Sequence, residues 1–114
     1  MSKELEDRFF TYAKKVRDFC RHIKWDVINV EYVKQLIRAS GSVGANYTEA
    51  SDDLGKADER MKIRIARREA KESIYWLNLI LTYDKDELEI ERAALIDEGT
   101  QIRKILSAIL IKLN

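Results

Sequence analysis

Apolar residues recur along this chain in alternating steps of four and three. Leu5, Phe9, Tyr12, Val16, Phe19 and Ile23 form the first such seam, which Ala13 and Cys20 widen. That spacing belongs to one face of an α-helix buried against neighbours. After a break at "KWDVIN", where Asn29 is the expected N-cap, a second seam runs through Val33, Leu36, Ser40, Val43, Tyr47, Ala50 and Leu54. The third helix is expected from about Ala57 to Tyr83, with Ile63, Ala66, Ala70, Ile74, Leu77 and Leu81 facing inward. Gly55 is expected to end the second helix in a left-handed conformation, and Asp58 or a neighbour to cap the third. Leu95, Gly99, Ile102, Leu106, Ile109 and Leu113 mark a fourth helix, opened by the acidic stretch "DKDELEIE".

Four helical patterns with short connections predict an all-α, antiparallel up-down-up-down four-helix bundle, one domain over residues 1–114. A second, largely apolar stripe on the third helix (Ile65, Glu72, Trp76, Leu79, Tyr83) means either a wide core face or a core plus an oligomer contact. Trp76, Leu79 and Tyr83 are the candidate oligomer residues. The segment "ASGSVGANYTEA", residues 39–50, carries Gly41 and Gly44 without breaking the seam of the second helix. Glycines in a helix interior cost about 1 kcal/mol each against alanine, so a close approach by a neighbouring helix is expected there.

Composition narrows the chemistry. One histidine (His22) and one cysteine (Cys20) leave no internal disulfide, no cysteine-based cluster and no histidine-rich metal site. Glu-x-x-His, the di-iron signature of bundles, is missing, and "GSVG" lacks the lysine of a phosphate-binding loop. No enzyme, cofactor or small-molecule substrate is expected. The charged start "MSKELEDRFF" and the lack of a long apolar run predict a cytoplasmic protein without a signal peptide or membrane span.

The net charge is only +1, but it is unevenly spread. Lys14, Arg17, Arg21 and Lys24 share a face of the first helix; Arg60, Arg64, Arg67 and Lys71, with Arg68 beside them, share one on the third. Lys56 to Glu72 holds seven basic and four acidic residues, a local +3, whereas Asp84 to Glu98 sums to −5. Such stripes are in general solvated faces with i,i+4 pairs. The functional alternative is a track for nucleic-acid phosphates.

The run from Ser40 to Ala50 resembles the signature of the 23S rRNA intervening-sequence protein family, an S-x-G-A-N-x-x-E-(A/G) pattern on a second helix. "KIRIARREAKESIYWL", Lys62 to Leu77, resembles the segment that follows on the third. The resemblance spans essentially the whole chain. It implies a four-helix bundle that assembles as a homopentamer and acts as a scaffold or interaction protein. Accessory variability proteins of diversity-generating retroelements, similar pentamers that bind a reverse transcriptase and nucleic acid, imply the alternative role. By position, Gly44 and Ala45 would be the close-packing contact. Asn46 and Glu49 would be a polar pair latched to Arg64, Glu69 or Glu72 of the third helix, on a polar line with Ser42 and Asp53.

Overall fold

The computed structural model describes residues 2–52 and 54–113, and Asp53 of the expected polar line lies outside them. Four helices account for almost all of the described chain, with no strand among those residues: α1 Lys3–Cys20, α2 Val27–Glu49, α3 Lys56–Leu79 and α4 Asp86–Leu113. The molecule measures 46 × 23 × 19 Å.

Local chemistry sets the helix ends. The Ser2 hydroxyl accepts from the Leu5 amide at 3.1 Å, and the Ser2 amide donates to the Tyr47 hydroxyl at 2.9 Å, pinning the start of α1 beside the end of α2. Asp26, not Asn29, caps α2, accepting from the Ile28 and Asn29 amides at 3.0 and 2.7 Å. Asn29 is buried, and its amide group is used elsewhere. The second helix ends at Glu49, so Leu54 is 73% exposed and outside the seam. Gly55 does take a positive φ, +101°, but as the residue that opens α3 rather than the one that closes α2. No side chain caps α3 there, so Asp58 sits within the first turn instead.

The third helix stops at Leu79, four residues earlier than its seam predicts. Ile80 turns extended (φ −59°, ψ 134°), and Tyr83 and Asp84 both adopt left-handed φ, 56° and 60°. Two side chains from other elements claim that backbone. Asn29 bonds Leu81, and Arg92 donates to the Leu77 and Ile80 carbonyls at 2.9 and 2.6 Å. Leu81, placed in the seam by spacing, is therefore exposed in the connection, while Ile80 is buried.

Each helix approaches two others: α1 meets α2 and α4, and α3 meets α2 and α4. Helices α1 and α3 thus occupy diagonal corners. The contacts of Ser2 with Tyr47, Glu49 with Lys62 and Arg60 with Leu113 are consistent with an up-down-up-down order. Phe9, Tyr12, Val16, Phe19, Leu36, Val43, Tyr47, Ile63, Leu77, Ile102 and Leu106 form one core with Phe9 and Tyr47 edge-to-face at 4.9 Å. Two glycines thin the packing around α1. A Cβ on Gly44 would lie 3.4 Å from the Phe9 Cβ, and one on Gly99 only 2.9 Å from the Tyr12 hydroxyl.

Candidate functional site

The motif residues of α2 divide. Gly44 faces α1 at close range, but Gly41 is exposed with open space where a Cβ would stand, and Ala45 is exposed too. Neither Gly41 nor Ala45 is a packing contact. Gly41 and Gly44 are three residues apart, about 60° short of a full turn, and that offset carries Gly41 out of the interface. Asn46 does not reach α3 either. Its side-chain amide donates to the Ser42 carbonyl and hydroxyl, both at 2.9 Å, within its own helix. Glu49 does reach across, yet its partner is Lys62 at 3.2 Å rather than Arg64, Glu69 or Glu72.

The polar latch between α2 and α3 lies two turns further back. Arg38 donates to Glu69 at 3.1 Å and approaches Glu72 at 3.7 Å. Glu69 is nearly fully buried, and loss of solvation together with the Glu72 charge raises its pKa, with Arg38 opposing. Arg38 was not singled out in the sequence because an isolated arginine on a largely apolar helix has no local signature.

Aromatic residues crowd the same side. Trp76 is half-buried and packs within the chain, at 6.0 Å from the Tyr32 ring and edge-to-face with Tyr75 at 5.2 Å. Leu79 is half-buried, and Tyr83 leaves the helix altogether for the α3–α4 connection. The aromatic that α3 presents to solvent is Tyr75, 61% exposed, which lies one position off the expected stripe.

The two basic faces have different fates. The first helix ends at Cys20, so only Lys14 and Arg17 of the first set lie on α1: Arg17 pairs with Asp18 at 3.1 Å and Lys14 sits over the Phe10 ring, while in the connection beyond it Arg21 is exposed and Lys24 sits over the Tyr83 ring. On α3, Arg60 is turned to the Leu113 carbonyl at the end of α4. Arg64, Arg67, Arg68 and Lys71 line a groove between α3 and α4 together with Met61 and Ile65, joined from α4 by Arg103 and Ser107. Among the described residues, none of these five cations has a carboxylate within 4.0 Å. With α1 and α3 at diagonal corners, the basic faces of the two helices do not merge; the partner of the α3 stripe is α4. Arg103 escaped sequence reading because its cationic neighbours stand across a helix contact, not along its own helix.

The remaining titratable groups argue for structure. Burial, and secondarily Glu91, pushes the Cys20 thiol up to about 12, far from thiolate chemistry at neutral pH. His22 is exposed and donates through Nδ1 to the Asp18 carbonyl at 2.9 Å. No group of three or more His, Cys, Asp or Glu able to hold a metal occurs among the described residues, and no helix there is long and apolar enough to cross a membrane.

A four-helix protein with a short cation-lined groove is thus what the coordinates define. The family model for the 23S rRNA-intervening sequence protein matches residues 6–108, and the chain belongs to that family. Among solved structures, a protein with unknown function from the S23 ribosomal protein family of Bacteroides thetaiotaomicron VPI-5482 is similar, with 29% identity and a TM-score of 0.78. The match covers 92% of this chain and 96% of that one. A comparison with curated proteins found no match.

Proposed function

We propose that this chain, an antiparallel up-down-up-down bundle, is a cytoplasmic, non-enzymatic scaffold or interaction protein that works as a homo-oligomer, a pentamer by family resemblance. The observation that carries this reading is the amount of large apolar surface left uncovered by a single copy. Trp25, Val27, Tyr75, Ile90 and Ile111 are each more than 60% exposed. Apolar side chains of that size are what contacts between copies would cover. Sedimentation equilibrium or light scattering tests it: a mass several times 13.4 kDa is expected, and a single-chain mass across the micromolar range would end the reading.

The α3–α4 groove favours a second reading, binding of RNA or a DNA–RNA hybrid, with a reverse transcriptase as the protein partner that the resemblance implies. Five unpaired cations in one groove could each neutralise a phosphate with salt-dependent affinity. Nucleic acid that copurifies and is stripped by a high-salt wash, read from the 260/280 nm ratio, is the expected sign.

A further inference from the structure

Besides the groove cations, the fold leaves a second charged set unpaired. Asp86, Glu87, Ile90 and Ala94 follow one another at helical spacing along an exposed face of α4, with Glu91 beside them. Among the described residues Asp86, Glu87 and Glu91 have no cation within 4.0 Å. Ile90 stands among them 72% exposed, an apolar residue for which the single copy has no use. The groove has the opposite sign: Arg64, Arg67, Arg68, Lys71 and Arg103 line it together with apolar Met61 and Ile65. An acidic patch that holds an exposed isoleucine is therefore complementary in charge to a basic groove that holds Met61 and Ile65.

We infer that the occupant of the α3–α4 groove is the acidic first half of α4, Asp86 to Ala94, of a second copy of this chain. This deepens the oligomeric reading and rests on it. The two patches lie on different flanks of α4. Arg103 and Ser107 border α3, whereas Asp86, Glu87, Ile90 and Ala94 share their hollow with His22, just beyond the end of α1. A contact between two different patches is heterologous, and each copy carries both halves, so the contact repeats from copy to copy. Charge balance decides between this occupant and nucleic acid. Domains that track phosphate backbones are in general strongly basic, while this chain totals only +1. A second copy is attracted at both of its patches, the groove and the acidic patch.

Charge reversal tests the contact. Three variants are compared with wild type by sedimentation: a groove variant (Arg64→Glu, Arg67→Glu and Arg68→Glu), an acidic-patch variant (Asp86→Lys, Glu87→Lys and Glu91→Lys), and the protein carrying all six changes. Circular dichroism confirms that each is helical. The groove and acidic-patch variants are expected to fall to the 13.4 kDa single-chain mass, and the sixfold variant, with the signs exchanged, to regain the wild-type mass. A wild-type multimer whose mass no variant changes overturns this contact and leaves the oligomeric reading standing. A single-chain wild type overturns both. If a labelled RNA duplex binds wild type but not the groove variant, while the masses stay equal, the groove belongs to phosphate and the inference is wrong.

Discussion

Asn29 and Leu81 hold each other through a reciprocal pair of hydrogen bonds: the Asn29 Nδ2 donates to the Leu81 carbonyl, and the Leu81 amide donates to Asn29 Oδ1, both at 2.9 Å. Asn29 also donates to the Lys24 carbonyl at 3.2 Å. One buried side chain thereby ties the α1–α2 connection to the α3–α4 connection. Asn29→Ala leaves the Leu81 amide and carbonyl without these partners and should cost about 2 kcal/mol, read as a shift in the urea midpoint. A change under about 0.5 kcal/mol would mean that water replaces the clip.

Arg92 does for the end of α3 what a terminal glycine does in other helices. It donates to the Leu77 and Ile80 carbonyls and is held by Glu89. Arg92→Ala should lose about 2 kcal/mol, as expected for hydrogen bonds from a charged donor. Lysine has the charge without the planar fork, so Arg92→Lys should recover only part of that loss. Equal stability of the Lys variant and wild type would show that charge alone suffices.

The glycines separate by their surroundings. Gly41→Ala fills open space in a helix interior and should stabilise by about 0.5–1 kcal/mol. Gly99→Ala drives a methyl to within 2.9 Å of the Tyr12 hydroxyl and 3.1 Å of Ile74 Cγ1, and should destabilise by about 1 kcal/mol despite the better helix propensity. Thermal melts of the two variants should move in opposite directions, and a common sign would contradict this packing.

Carboxylates respond to pH with both signs here. The Tyr83 hydroxyl and then the Asn29 amide lower the pKa of Asp26, and Arg92 followed by Thr82 lowers that of Glu89. Their contributions are present above the ordinary values of 3.8 and 4.5 and are lost as pH falls through the lower folded values. Glu69 is opposite: burial and Glu72 raise its pKa, so its contribution is full below 4.5 and is lost as pH rises through the folded value. Wild type should therefore lose stability relative to Glu69→Gln between about pH 4 and pH 7. Urea titrations at the two pH values check this, and a constant difference would place the Glu69 carboxyl in an ordinary solvated environment.

Asn46→Ala is expected to change stability by less than about 0.5 kcal/mol, because both of its hydrogen bonds stay within one turn of α2. A larger loss would revive a cross-helix role for this motif residue.

Four helices and most of the core were legible in the sequence, because burial imposes its period directly on residue type. Phe9, Tyr12, Val16 and Phe19 all lie where their spacing places them. What failed was decided by pairs that no local pattern records. The end of α3 depends on Asn29 and Arg92, residues 52 and 12 positions from the backbone they hold. Gly41 and Ala45 share a motif with Gly44, but only Gly44 meets α1, since a family pattern preserves residue identity and not the face each residue turns to. The α3 cations were visible as a stripe; that Arg103 completes their groove required knowing which helices are neighbours.

Glu87 and Arg103 are about 24 Å apart along α4 at 1.5 Å per residue. With so small a net charge, the molecule is electrically a dipole almost without a monopole. A distant charge pulls such a body only weakly but twists it strongly, and the twist fades over a Debye length of about 8 Å at physiological ionic strength. Its charges therefore govern the angle at which it meets a partner more than the rate of meeting. Added salt should blur that angle well before it weakens any contact made by Ile90 or Tyr75.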